Sequence, residues 1–250
     1  MRHKIKGIVI REVPKGETSK LLTVLTATLG VVTVNAKGVR KISSPYLKSA
    51  QLFAFSDMLL YEKNGYYTLT EAALITDFYT LSGDIKKYAL ACYLCEAGSA
   101  FAVAGEDSAN ILRLLLNSLY ALEKNIAPIS IIKSAFEFRL CGECGLCPDV
   151  TYCCECGKTI DGEPLFFDIN DGVSFCKQCA ASSEDLKMLP LSVVKAIKHI
   201  LESELSRFIS FRIGEAEQLL LSQCAEKYLL IHAERGFKTL SFFKQCDELP

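Results

Sequence analysis

Cys153-x-x-Cys156 and Cys176-x-x-Cys179 constrain this chain more than any other feature. Each pair has a two-residue gap, and nineteen residues separate the pairs. This is the spacing of a four-thiolate zinc site. A two-residue gap brings both sulfurs of a pair to one ion about 2.3 Å away while the backbone turns between them. Gly157 follows the first pair, where a tight turn accepts a residue without a Cβ. Asn170-Asp171-Gly172 interrupts two β-prone runs, residues 165–169 and 173–175, and predicts a hairpin feeding the second pair. A closed four-Cys set leaves no position for water or substrate, so Zn2+ is expected here as a structural ion. Metal ligation supplies folding energy that so small a hairpin cannot draw from a core of its own. Asp161, Glu163, Asp168 and Asp171 outweigh Lys158 and Lys177 around it, which argues against this unit gripping phosphate.

The chain holds twelve Cys, more than one site needs. Cys154 offers a second, worse register with Cys156. Cys141, Cys144 and Cys147 form another run with two-residue gaps, followed by Pro148. That run resembles the start of an iron–sulfur ligand set, although position 151, where a fourth Cys belongs, is Thr. An iron–sulfur redox protein using the Cys141–Cys156 thiols is therefore an alternative reading. The plainer one is reduced thiols around a helix end, with Cys92, Cys95, Cys224 and Cys246 as core residues. So many thiols without an export signal predict a reducing compartment, and the apolar run at residues 5–10 is too short for a signal core or a membrane span.

The formal net charge of −1 conceals an asymmetry. Residues 1–50 hold ten Lys or Arg against two acids, so the remaining 200 residues carry a deficit of nine. One basic end on an otherwise acidic chain is the footprint of a polyanion site. A scaffold whose first segment binds protein is the competing class.

The first eighty residues read as five short strands, at 4–13, 21–28, 31–37, 51–62 and 66–76, with a bulge at Gly7. In the third, Val32, Val34 and Ala36 share one face. Asn64-Gly65 marks a tight hairpin. Five strands at this density predict a small closed barrel of the OB type. After Ser82 the period changes. Helical stripes follow at Ile85/Tyr88/Ala89/Cys92/Ala97/Phe101, at Ile111/Leu114/Leu115/Leu119/Leu122 and at Ile131/Ile132/Ala135/Phe136/Leu140. Two more lie at Val193/Val194/Ile197/Ile200/Leu201 and at Leu220/Cys224/Tyr228/Ile231. The expected fold class is α+β and multidomain. An OB-like β-barrel (1–80) precedes an α-helical domain (81–147 and 182–250) into which a four-Cys zinc-ribbon-like unit (148–181) is inserted. No phosphate loop, GxGxxG, HExxH or paired carboxylates is present, the three His are isolated, and the acids read as helix surface. The chain is not expected to be an enzyme.

This order of parts resembles the RecO family of bacterial recombination mediators. The matching stretches are Gly7–Arg11 followed by Gly16-Glu17, Thr26–Gly30, Ala36–Lys41, Phe136–Arg139, Gly145–Asp149, and the Cys153/Cys156 pair with Phe167-Asp168 after it. The Cys141/Cys144/Cys147 run lies outside the pattern. The resemblance implies a non-catalytic protein of the bacterial cytoplasm, associated with the nucleoid and not with membrane. It would bind single- and double-stranded DNA and anneal complementary strands. It would contact the single-stranded DNA-binding protein SSB and work with RecR to load the RecA recombinase. On that reading Lys37, Arg40 and Lys41 neutralise phosphates, with Lys4, Lys6, Arg11 and Lys48 extending the site. Tyr46, Tyr66 and Tyr67 are stacking candidates, while Phe53 and Phe55 read equally well as core. An apolar pocket flanked by cations, drawn from Lys86, Lys87, Arg113, Arg139, Lys195 and Lys198, would suit the acidic tail of SSB.

Overall fold

Alternating burial along the first strands decides the first half of the chain. In the computed structural model, which describes residues 1–182 and 186–247, Val32, Val34 and Ala36 point inward and Thr33 and Lys37 outward. Five strands close into a barrel: β1 (Arg2–Lys15), β2 (Ser19–Thr26), β3 (Val31–Ala36), β4 (Phe55–Lys63) and β5 (Tyr66–Thr76). Their order is β1-β2-β3-β5-β4, with β1 also paired to β4, which is the OB connectivity. All pairings are antiparallel except β3 with β5, which run parallel at Val34–Tyr67 and Asn35–Thr68. Ile5, Val9, Leu22, Val24, Val34, Met58 and Leu60 fill the interior.

Two expectations about the strands need correction. The strand expected over 51–62 starts only at Phe55. Phe53 adopts φ 65°, a left-handed conformation costly for a residue with a Cβ, and buries its ring edge-on against Tyr88 with the centroids 5.8 Å apart. The bulge expected at Gly7 falls between Val9 and Arg11. Gly7 is there for space, since a Cβ on it would meet Val24 Cγ1 at 2.6 Å.

The chain forms two compact units, Met1–Glu123 together with the chain from Phe237 onward, and Lys124–Gly236. In the first, the barrel is followed by α1 (Ile85–Phe101) and α2 (Ala109–Lys124), and α6 (Lys238–Asp247) packs on α1. Asp84 caps α1 by accepting from the N–H groups of Lys86 and Lys87. The stripe expected on α1 is only part of its buried face, through Ala89 and Ala97. Leu90, Ala91, Tyr93, Leu94 and Cys95 are buried while Ile85 is exposed, because the helix is covered on most sides and periodicity loses its meaning. The helix α6 was not foreseen. The expected segment 182–250 includes residues 183–185 and 248–250, which lie outside the described residues.

In the second unit, α3 (Ile129–Glu143), α4 (Leu191–Glu202) and α5 (Glu215–Ala233) pack together. Here the expectation that acids line helix surfaces fails at one residue, Glu137. Glu137 is fully buried and, with Glu226, holds the Lys133 ammonium at 2.8 and 2.9 Å. Burial alone pulls the Lys133 pKa down, but the two carboxylates outweigh it and raise the value above its ordinary one. Arg139 closes the α4 end, donating from Nη1 to the carbonyls of Ile200, Leu201 and Ser203.

Within the first unit the barrel is tied to the helices at Gly30. Gly105 and Ser108 donate backbone N–H groups to the carbonyls of Leu29 and Ala27, which brings the Val103 carbonyl against Gly30. A Cβ on Gly30 would lie 1.9 Å from that oxygen, and Gly30 sits at φ +61°. Gly16 has a similar φ of +63° in open space. Gly30→Ala should therefore cost about 3 kcal/mol or more of stability and Gly16→Ala about 1 kcal/mol. Chemical denaturation of the two variants checks this; equal losses would contradict the packing argument.

Candidate nucleic-acid interface and metal centre

The metal centre begins with a helix that stops. Leu146 N–H bonds to the Cys141 carbonyl and Gly145, at φ 79°, reverses the chain after α3. Asp149 then turns the backbone by accepting from the N–H groups of Thr151 and Tyr152. Cys153 lies against Ser174, its N–H bonding to the Lys158 carbonyl, and Gly157 at φ 68° donates back to the Cys153 carbonyl at 2.8 Å. The expected hairpin forms as β6 (Leu165–Asp168) and β7 (Val173–Phe175), its turn held by Asp168 Oδ1 accepting from Asn170 and Asp171. A third strand not expected from sequence, β8 (Lys187–Leu189), pairs on the other side of β6. Cys176 leaves β7, and Ala180 N–H closes the second turn on the Cys176 carbonyl.

These turns gather all four expected sulfurs. Sγ of Cys153, Cys156, Cys176 and Cys179 lie within 4.8 Å of one another, with Cys156 and Cys176 at 4.0 Å. Tetrahedral ligation with bonds of about 2.3 Å sets sulfurs about 3.8 Å apart, so the cluster is compatible with a bound metal ion. Burial pushes the Cys153 thiol up, yet the N–H groups of Cys156, Cys176 and Glu155 outweigh it and bring it down to about 6. The Cys179 N–H draws the Cys176 thiol down as well, whereas Cys179, donating its own hydrogen to Cys176, rises to about 12. Four thiolates this close repel one another, and a cation is what lets all four ionise.

Among the described residues this is the one group of His, Cys, Asp or Glu close enough to hold a metal. Cys141, Cys144 and Cys147 are not gathered into a second set. Cys141 is buried in α3, where burial raises its thiol; Cys144 is pushed to about 11 by burial and by Glu143; Cys147 is exposed. The repeated gap belongs to a helix end. Cys95, Cys224 and Cys246 are buried as expected, and Cys92 is half-buried.

The seven basic residues expected at the interface are all exposed, but they do not form one cluster. Lys37, Arg40 and Lys41 come together beside Lys15 at the tip of the β1–β2 hairpin. Arg40 N–H bonds to the Thr18 carbonyl, its Nη1 to the Gly16 carbonyl at 3.1 Å, and Gly38 N–H to Ser19 Oγ. Val39, buried, pins the loop to the barrel core, and Ile42 is left 97% exposed. Lys48 opens a short turn whose Ala50 carbonyl is held by Lys20, itself paired with Glu12 at 2.7 Å. Arg11 stands on β1 opposite Thr23. Lys4 and Lys6 lie on the β1–β4 side, where Asp57 faces them; Lys4 Nζ is 3.8 Å from its carboxylate. Tyr66 is exposed, whereas Tyr46 and Tyr67 pack against the barrel core. The nearness of Lys15 to Arg40 depends on hairpin register, which local sequence spacing does not show.

On the second unit a cavity of about 530 Å³ opens beside α4. Leu191, Ala196, Phe211 and Ile213 supply its apolar wall, with Lys195 and Arg212 among its other residues. No helix among the described residues is long and apolar enough to cross a membrane.

An OB-type barrel with a basic end, a helical part and a four-thiol knuckle defines the class of two-part barrel-and-helix proteins. The family described as Recombination protein O N terminal matches residues 1–78, and Recombination protein O C terminal matches residues 82–241. The chain belongs to the RecO family. It is 28% identical to DNA repair protein RecO of Acetivibrio thermocellus over 247 residues, 98% of each chain. The counterpart in Caldicellulosiruptor saccharolyticus is 29% identical, over 96% of this chain and 97% of its own. That of Alkaliphilus metalliredigens is 27% identical, over 97% and 98%.

Cobalt(II) offered to metal-free protein should bind as one equivalent and give thiolate charge-transfer absorption with tetrahedral visible bands. Cys176→Ser should abolish these bands and Cys147→Ser should leave them intact. The reverse pattern, read by optical titration, would move the ligand set to the helix end.

Proposed function

We propose that this chain is a DNA-binding recombination mediator of DNA repair. It binds single- and double-stranded DNA, anneals complementary strands and helps load RecA, with RecR, onto DNA coated by SSB. The observation carrying the reading is the cluster of Lys37, Arg40, Lys41 and Lys15 at one end of an OB barrel in a chain of the RecO family. Residues 1–80 are the DNA-binding part, 81–147 and 182–250 the helical body, and 148–181 the zinc-binding insertion. Lys37, Arg40 and Lys41 take the phosphates first. Arg11 and Lys48 extend the path, and Lys4 and Lys6 contribute less because Asp57 competes for them. The protein acts in the bacterial cytoplasm, at the nucleoid, and catalyses no reaction of its own.

Cys153, Cys156, Cys176 and Cys179 would hold Zn2+ as a structural ion, closing the knuckle and contributing to its folding. The cavity beside α4 suits the tail of SSB. Its apolar wall receives the tail's apolar end, and Lys195 and Arg212 face the acidic residues before it.

Fluorescence anisotropy across a salt series tests the DNA site. Combining Lys37→Glu, Arg40→Glu and Lys41→Glu should weaken binding and make the log–log salt slope shallower by about 2, from about 0.7 per phosphate released. The melting temperature should stay unchanged. An unaltered slope would place the site elsewhere. For the tail, Lys195→Glu with Arg212→Glu should weaken capture of an acidic, apolar-ended peptide by about tenfold or more. Unchanged capture would exclude this cavity.

A further inference from the structure

The strand registers line up outward-facing side chains into rows that cross the barrel. Val13 is opposite Leu21, Leu21 opposite Asn35, Asn35 opposite Thr68 and Thr68 opposite Tyr61. This row spans all five strands without a charge. Val13, Leu21 and Tyr61 are exposed in it, Tyr61 at 44%. Two residues along the strands on one side lies a polar row. It runs from Arg11 through Thr23 and Thr33 to Tyr66 and Lys63, with Tyr66 79% exposed. Two residues along on the other side stand Lys15, Ser19 and Lys37. An uncharged floor, exposed at Val13, Leu21 and Tyr61 and polar at the half-buried Asn35 and Thr68, is thus bordered by cations on both sides.

Tyr61 and Tyr66 belong together. Tyr66 is opposite Lys63 and Tyr61 opposite Thr68, so the two are diagonal neighbours on adjacent strands. Such positions lie about 7–8 Å apart. That is roughly twice the rise of about 3.4 Å between stacked bases, a gap that one base fills.

We propose that the outward row Val13–Leu21–Asn35–Thr68–Tyr61, with Tyr66, is a base-stacking floor for single-stranded DNA. The bases lie on the tyrosines and the phosphates follow the bordering cations. The proposal rests on the DNA-binding reading above and adds what that reading leaves open, a contact with bases in addition to phosphates. Charge complementarity selects the occupant, since an acidic peptide would use the cations and leave the floor without a flat partner. A duplex hides its base faces, so the floor favours unpaired strands.

Anisotropy with the full-length protein tests this, using a labelled oligothymidylate and an abasic oligonucleotide of the same length and charge. The wild type should bind the oligothymidylate about tenfold or more tightly than the abasic strand. The double variant Tyr61→Ala/Tyr66→Ala should lose that preference while keeping the abasic affinity, and Tyr61→Phe/Tyr66→Phe should retain it. The chain has no Trp, so oligothymidylate should also quench the tyrosine emission directly. Both tyrosines are exposed, so unchanged melting temperatures should confirm that the variants fold. Equal wild-type affinity for both strands, or a preference that survives in the alanine variant, overturns the stacking floor and leaves the phosphate site standing. Binding of neither strand at low salt overturns both.

Discussion

A short parallel pairing holds the barrel shut. Val34 meets Tyr67 and Asn35 meets Thr68, and through these two pairs the sheet returns on itself. An open five-stranded sheet would present two edges and leave its inward face wet. Closure removes the edges and gives every strand residue a definite side. Val34 and Tyr67 can point inward only if Asn35 and Thr68 point outward, and the same alternation then extends through Leu21 to Val13. A slip of one residue at this seam would put Leu21 and Tyr61 in the core and Leu22 and Leu60 in water. The outer surface is therefore the complement of the core, set by the same register.

The second unit meets a different constraint. Its knuckle buries Val150, Ile160, Leu165 and Phe167, and two of its turns put four sulfurs within reach of one point. Without a cation, four thiols this close would have to share out their protons. N–H groups favour thiolate at Cys153 and Cys176, while Cys179 keeps its hydrogen. A metal ion removes that conflict, so ligand geometry and the electrostatics of the free thiols point to the same occupant. Buried Lys133 shows the same logic without a metal. Its charge is tolerable only because Glu137 and Glu226 are both within hydrogen-bond reach, and removing the ammonium would leave Glu137 charged in the core.

What was legible in the sequence was whatever local spacing decides. The Cys pairs, the Asn64-Gly65 turn and the alternation of Val32, Val34 and Ala36 each depend on a few neighbouring residues. Asn64 and Gly65 do take the left-handed conformations such a turn requires. Features decided at a distance were not legible. Lys133 and Glu137 have the i,i+4 spacing of a solvated surface pair, and only Glu226, from another helix, reveals a buried network. Stripe counting found only part of the buried face of α1 because most of its sides are covered. Of the stacking candidates, Tyr67 is turned partly into the core, and Tyr61 went unnoticed because its row exists only once five strands are in register.

Separating the floor from its cations bears on annealing. Residues beyond the first fifty carry a net deficit of nine charges, so they lend a strand no long-range attraction. A grip made of phosphate contacts alone would hold duplex at least as well as single strand, since duplex carries more charge per unit length. Such a grip would not release its product. Stacking changes the balance, because it engages the faces of bases and leaves their pairing edges free. A strand on the proposed floor can still meet its complement, and once paired its bases leave the tyrosines. Pairing then removes the base contribution to binding while the phosphates keep theirs. On the proposed reading, that difference would favour moving from duplex to the next unpaired stretch.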